Sequence, residues 1–298
     1  MNKDSRDILE SIQTDYRYKV FNKCPICLSS SIIRKGRKGT GDIKTHPQVY
    51  HCNECCIYFV NPMIDKESLY QLYENFNIGY GKLSTTALKK MEQNVSYWNK
   101  YINDKQTIQR KLSCLDIGSA SGDLLKIFSE YGWDAHGIEP CKAFVDYSIK
   151  EMGINNIKHS TVEEADYPEN YFDFIHFWHV LEHVLEPMKV LKKIYRWLKP
   201  GGILNLGTPS PNIVYSTIYP KFTGYYSLGT EHTFIFPQKS LKSILESIGF
   251  KIESHMVYST LKSGNSMKIK IHNFFHHIYP KIIANFQKIV VYKPIDNC

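Results

Sequence analysis

The chain has 298 residues, 43% hydrophobic and 13% aromatic, enough apolar surface for one large domain plus a small one. Its formal charge of +8, from 37 basic and 29 acidic residues, admits anionic partners without demanding them. No run of 18 apolar residues occurs and the opening "MNKDSRDILE" lacks the apolar core of a secretory signal, so a cytoplasmic protein with no transmembrane segment is expected.

Residues 1–22 read as a short polar helix. Five of the eight cysteines then lie between 24 and 56. "CPIC" and "CNEC" form a C-x2-C-x24-C-x2-C array, Cys24, Cys27, Cys52 and Cys55, whose two close pairs suit a tetrahedral zinc ion held by thiolates. A closed set of four cysteines implies a structural metal, with Cys56 as a spare. Cys114 and Cys141 read as small core residues, and Cys298 is terminal. Between the pairs runs a basic, Gly-rich loop, "RKGRKGTGD" at 34–42, and residues 63–111 are polar, Tyr-rich and expected to be helical.

From 112 the pattern changes. A buried-strand run "LSCLDIG" leads into the helix "SGDLLKIFSEYG". "WDAHGIEP" is a strand, "AFVDYSIKEMG" a helix, "IKHST" a short strand and "FDFIHF" a buried strand. There follow the helix "PMKVLKKIYRWLK", the turn "PGG", the strand "ILNLGT", the capped helix "QKSLKSILESIGF", and "KIESHMVYS" and "KIVVYKP" as closing strands. Strands alternating with helices of 10–15 residues predict a doubly wound, mostly parallel α/β sheet.

The first strand–helix turn, "LDIGSASGD", does not fit the G-x-G-x-x-G frame that seats a dinucleotide pyrophosphate. Asp116 at the strand end and Asp123 at the helix start would repel a pyrophosphate and attract a ligand carrying ammonium and sulfonium cations. At these residues the sequence resembles the class I S-adenosylmethionine-dependent methyltransferases. Beside "LDIGSASG", the motifs "GIEP", "FDFIHFWHVLEHV", "LKPGGIL" and "EHTFIFPQKSLKSILESIGFKI" occur in the family's order across about 112–255.

The resemblance implies a Rossmann-like seven-stranded sheet and S-adenosylmethionine as cofactor. It places Asp116 near the methionine amino group and lets the backbone close on the cofactor at Gly118, Ser119 and Gly122. It gives Glu139 the ribose hydroxyls, Thr161, Val162 and Glu163 the adenine, and Trp178 a packing role. Ala120 stands where the family often has glycine, and Thr161 where an acid is common.

The stretch "WHVLEHV" also carries the H-x-x-E-H spacing of a group of zinc proteases. That reading requires one unbroken helix across His179, Glu182 and His183. Pro187 and the β-like run upstream argue instead for the loop leaving a central strand, at the carboxyl edge where ligands bind. Three roles stay open for these residues. They could act as general base or substrate contact, hold a divalent cation, or brace the turn. His232, in "TEHTF", could complete either site.

An N-terminal zinc ribbon ahead of such a domain is similar to proteins that modify sugars in surface-polysaccharide or antibiotic pathways. The expected organisation is a ribbon over 1–62, a helical cover for the substrate cleft over 63–111 and the methyltransferase domain over 112–298. O-methylation of a sugar, free or nucleotide-linked, is the first reading. A quinone or RNA O-methyltransferase is the alternative, and an inactive binding protein of the same fold is the non-enzyme alternative. DNA is not expected as a partner. The basic aromatic stretch at 260–285 reads as an insertion packed over the sheet.

Overall fold

The computed structural model describes residues 16–35, 48–74, 83–105, 110–210, 232–258 and 286–295. The first part of the expected N-terminal helix, most of the basic loop between the cysteine pairs, the 260–285 insertion and Cys298 therefore lie outside the described residues.

The N-terminal strands are β1 (Tyr18–Lys19), β2 (Ile32–Arg34), β3 (Gln48–Cys52), β4 (Tyr58–Asn61) and β5 (Met63–Ile64), followed by helices α1 (Lys66–Glu74) and α2 (Thr85–Lys105). The alternating part comprises β6 (Ser113–Ile117), α3 (Asp123–Glu130), β7 (Asp134–Glu139), α4 (Lys142–Lys150), β8 (Ile157–His159), β9 (Phe172–Trp178), α5 (Pro187–Trp197) and β10 (Leu198–Pro209). It closes with β11 (Phe234–Ile235), α6 (Gln238–Ile248), β12 (Lys251–Tyr258) and β13 (Phe286–Tyr292).

The doubly wound sheet is present as expected. Its order is β12-β13-β10-β9-β6-β7-β8, parallel from β10 to β8, with β13 antiparallel to both of its neighbours. Such a sheet needs strands buried on both faces, and β6 and β9 supply them: Leu115, Phe172, Phe174, Ile175 and Phe177 are fully buried. The helices cover it with apolar stripes at helical spacing. In α5, Pro187 opens the helix without losing a needed N–H, and Val190, Leu191, Ile194 and Trp197 face the sheet. At the end of the sheet away from the loops described below, buried Asp173 accepts from Arg110 at 2.7 Å, from Lys199 at 2.9 Å and from the Ser113 N–H at 2.9 Å. That pairing keeps its carboxyl below the usual range even though burial acts the other way.

Two expectations are corrected. Residues 16–22 are not helical: Tyr18–Lys19 pairs with Met63–Ile64, and Arg17 is held extended by Ser68 and Asp65. The "PGG" turn is present but lies inside a strand and not ahead of one: Gly201 is left-handed at φ +79°, and residues 199–202 stand where β9 has only Asp173. β10 begins at Leu198 directly after α5 and runs through Pro200, Gly201 and Gly202 to Pro209, with a register shift between Leu198 and Ile203.

A second sheet has the order β11-β4-β3-β2. Its first three strands in sequence surround the cysteine pairs, whereas β11 comes from beyond the parallel sheet, with Phe234 opposite Phe59 and Ile235 opposite Tyr58. Among the described residues, no helix is long and apolar enough to cross a membrane.

Candidate active site

Strand order reverses on either side of β6, and the loops after β6, β7 and β9 open there into one cavity. The turn after β6 depends on its backbone. Gly118 has φ +76°, and a Cβ there would lie 2.6 Å from Val180 Cγ2, so only glycine keeps both the turn and the cavity wall. Ala120 also adopts a left-handed conformation, φ +44°. The alanine therefore stands where glycine costs less backbone strain, a conformational reason that the sequence pattern does not show.

Glu139, at the end of β7, is 7% exposed. Its Oε2 accepts the Ala120 N–H and its Oε1 the Cys141 N–H, each at 2.9 Å. Burial pushes this carboxyl up while the two N–H bonds pull it down. The bonds fix the carboxylate plane and leave each oxygen a further lone pair for a hydroxyl.

Of the nine residues that the resemblance assigns to the cofactor, Gly118, Glu139, Thr161, Val162, Glu163 and Trp178 line the cavity. Asp116, Ser119 and Gly122 sit behind it, in the strand end and turn that shape it. Glu163 is partly committed elsewhere, since its carboxylate accepts the Leu185 N–H at 3.0 Å and so braces the next loop. Trp178 stacks on His176, and Gly207 makes room for it: a Cβ at 207 would lie 2.4 Å from its ring.

The sequence reading missed several wall residues. Leu69 and Tyr73 of α1, Phe144 of α4 and Val180 line the same cavity. Cys141, expected in the core, is buried but also on this wall. Leu69, Tyr73 and Phe144 are apolar residues in helices, which gives no sign of whether they face a core or a pocket. Cys141, two residues past Glu139, and Val180, two past Trp178, adjoin expected site residues and could have been found.

Asp116 is 5% exposed, and burial, with the Glu139 charge adding, pushes its carboxyl up to about 7. Because this pKa exceeds the unfolded value of about 3.9, the folded state holds the extra proton between those values, and stability falls as pH rises through that window. A ligand ammonium group would favour the ionised form. S-adenosylhomocysteine, which carries that group, is expected to bind several-fold more tightly at pH 8 than at pH 6. Asp116→Asn is expected to flatten that dependence and to raise the melting temperature of the ligand-free chain at pH 8. Titration calorimetry and thermal melts check both, and an unchanged pH slope in the variant would refute the assignment.

The H-x-x-E-H stretch is not a continuous helix. β9 ends at Trp178, His179 turns left-handed at φ +55°, and Leu181–His183 forms a single 3-10 turn before Pro187 starts α5. Glu182 is 1% exposed. Its Oε1 lies 3.3 Å from His179 Nδ1 and its Oε2 accepts the Thr208 hydroxyl at 2.9 Å. Burial pushes this carboxyl up, but the His179 bond and the neighbouring His183 more than offset it, leaving it below the usual range. Glu182 thus faces inward and orients its neighbours. His179 and His183 line the cavity, and the His183 and His232 rings meet edge to face at 4.5 Å. Donor atoms of Glu182, His183 and His232 all lie within 4.8 Å of one another, so His232 and not His179 completes that cluster.

The four thiols also converge. Cys24, Cys27, Cys52 and Cys55 place all their sulfurs within 4.8 Å of one another, with Cys24–Cys55 at 3.6 Å and Cys27–Cys52 at 3.5 Å. Zinc–sulfur bonds of about 2.3 Å in a tetrahedron need sulfurs about 3.8 Å apart, so the donor set fits. Each pair sits on its own knuckle, and the two are built alike. The Leu28 N–H donates to the Cys24 carbonyl and the Cys56 N–H to the Cys52 carbonyl, each at 2.9 Å, with Leu28 and Cys56 at φ +62° and +58°. The hydrogen bond between Cys24 and Cys55 lowers the Cys24 thiol and raises that of Cys55, so the two sulfurs titrate as a pair. Cys56 is exposed and outside the set.

Comparison with known proteins agrees with this architecture. A curated demethylmenaquinone methyltransferase from Listeria welshimeri is 24% identical over 65% of this chain and 92% of its own length. A ubiquinone/menaquinone biosynthesis C-methyltransferase from Proteus mirabilis is 27% identical over 56% of this chain and 76% of its own. The crystal structure of a SAM-dependent methyltransferase from Archaeoglobus fulgidus has a TM-score of 0.50 at 20% identity, covering 69% of this chain and 94% of that one, and so shares the fold. The profile of the methyltransferase domain family matches residues 89–255, more than half of the chain. The chain belongs to that family and is a class I S-adenosylmethionine-dependent methyltransferase.

Proposed function

We propose that this methyltransferase methylates a hydroxyl group of a small molecule, a sugar or nucleotide-linked sugar, with His183 and His232 removing the proton. The observation that carries the reading is that His183, on the wall of the cavity that Glu139 and Gly118 share, meets the His232 ring at 4.5 Å. S-adenosylmethionine would lie with its ribose on Glu139 and its adenine toward Thr161 and Val162, and it supplies an already activated methyl group. What the chain must add is alignment, plus a base near neutral pH. Histidine suits that role, and Glu182, orienting the turn from below, keeps His179 beside it.

The sugar reading is supported by the four-cysteine module ahead of the domain, whose donors fit a structural zinc ion. In this reading residues 1–62 form the ribbon, 63–111 cover the cleft and 112–298 carry the reaction. A quinol acceptor is the second reading, because the relatives from Listeria welshimeri and Proteus mirabilis are quinone methyltransferases. The test is transfer of radiolabel from methyl-tritiated S-adenosylmethionine to nucleotide sugars, reduced naphthoquinones and total RNA, assayed separately. Label in a nucleotide sugar, at a base-stable position, is the expected result. Label confined to the naphthoquinol or the RNA would replace the sugar reading. No label in any of them, with S-adenosylhomocysteine bound, would leave a binding protein of this fold.

A further inference from the structure

The four-cysteine module and the candidate catalytic pair are joined by one short run of backbone. β11 completes the module's sheet through β4, which leaves the second cysteine knuckle. Immediately before β11 stand His232 and Thr233. Thr233 is fully buried and bonded on every side. Its carbonyl accepts the Val60 N–H of β4 at 3.0 Å, and its own N–H donates to the Glu182 carbonyl at 2.8 Å. Its hydroxyl lies 3.1 Å from the Glu182 carbonyl and 3.3 Å from that of Val184. The surroundings are dry: Phe59, Phe234 and Phe236 have no exposed surface.

A hydrogen-bonded junction in such a place is stiff, because a donor released there finds no water to replace its partner. Through Thr233, the turn that carries His183 and the segment that carries His232, just before β11, are fastened to the same edge of the cysteine hairpin. The parallel sheet alone does not place the pair, since β11 pairs with β4 and not with β10.

We propose that the four-cysteine module is a positioning element of the active site, setting the His183–His232 contact through Thr233. This rests on the reading of that pair as the proton acceptor, and it makes Thr233 a positioning residue with no contact to the acceptor itself. It also explains the composite second sheet, since a ribbon that only covered the cleft would need no strand from the catalytic domain.

The test uses the full chain, labelled with nitrogen-15, and reads the imidazole signals of His183 and His232, assigned with His183→Gln and His232→Gln. Two variants act on the junction from its two ends. Thr233→Val keeps both backbone bonds and the side-chain shape but removes the hydroxyl, and Cys52→Ser removes one thiolate from the module. Both are expected to move the two imidazole signals and their titration midpoints, and Cys52→Ser also to lower the bound zinc. Thr233→Val is expected to lower kcat about tenfold, the effect of one lost buried hydrogen bond, with S-adenosylhomocysteine affinity within about threefold of the parent. Thr233→Ser should restore both signals and kcat.

Unmoved imidazole signals in a folded Cys52→Ser chain that has lost its zinc would overturn the proposal, as would unmoved signals in Thr233→Val. Should Cys52→Ser fail to fold, exchange of the bound zinc for cadmium in the parent chain, which lengthens the metal–sulfur bonds, decides: unmoved imidazole signals overturn the proposal and moved ones support it. The imidazole signals report geometry whether or not the histidines take the proton. Full turnover by His183→Gln would therefore end the base reading while leaving the positioning result intact.

Discussion

Glu139→Ala is expected to weaken S-adenosylhomocysteine binding by about 100-fold or more, read by titration calorimetry, with the fold retained. A buried carboxylate whose two oxygens are fixed by the Ala120 and Cys141 N–H groups meets a pair of ribose hydroxyls without reorganising. Hydrogen bonds to a charged acceptor contribute about 1.5–3 kcal/mol each, so losing two of them corresponds to at least a 100-fold change. Glu139→Gln separates charge from shape. It keeps an acceptor for one N–H but turns an amide toward the other, so its binding should fall between parent and alanine. An alanine variant that binds within about threefold of the parent would show that the cavity holds its ligand elsewhere. Zinc content should not change in either variant, because the hydrogen bonds of Glu139 run to Ala120 and Cys141 and not to the cysteine knuckles.

How much of this site the sequence reveals depends on the distance over which each feature is decided. The glycine turn, Glu139 at the end of the second strand and the two cysteine pairs are local patterns, each constrained by backbone geometry within a few residues. Pro187 and the β-like run "FDFIHF" together argue against a metal-binding helix through His179 and His183, because each constrains the backbone close to itself. The partnership of Thr233 with Val60 and Glu182 is different. It joins segments more than 50 residues apart through a two-residue strand, and a two-residue strand has no period to detect. The cavity walls from Leu69 and Tyr73 are hidden for a related reason. They belong to an amphipathic helix whose apolar face would look the same if it covered a solid core. Glu163 shows the converse, a side chain whose family position suggests a ligand contact but which also holds the Leu185 N–H.

His183→Ala and His232→Ala are each expected to lower kcat by about 100-fold, within the range that a positioned general base contributes, while S-adenosylhomocysteine affinity stays nearly unchanged. If the two rings act as one unit, the double variant should cost little more than either single change, because effects within a unit do not add. The pH dependence gives the sign. A histidine base must be neutral, so parent kcat should rise with pH through the titration of the pair and level off above it. The variants should lose that limb. The same three donors that form this cluster, Glu182, His183 and His232, also have a spacing that a divalent cation could use. A bound cation and a direct base part company under chelation. If the imidazoles take the proton directly, EDTA at concentrations that spare the cysteine-bound zinc leaves kcat unchanged. If a cation acidifies the acceptor instead, EDTA abolishes turnover and an added divalent ion restores it.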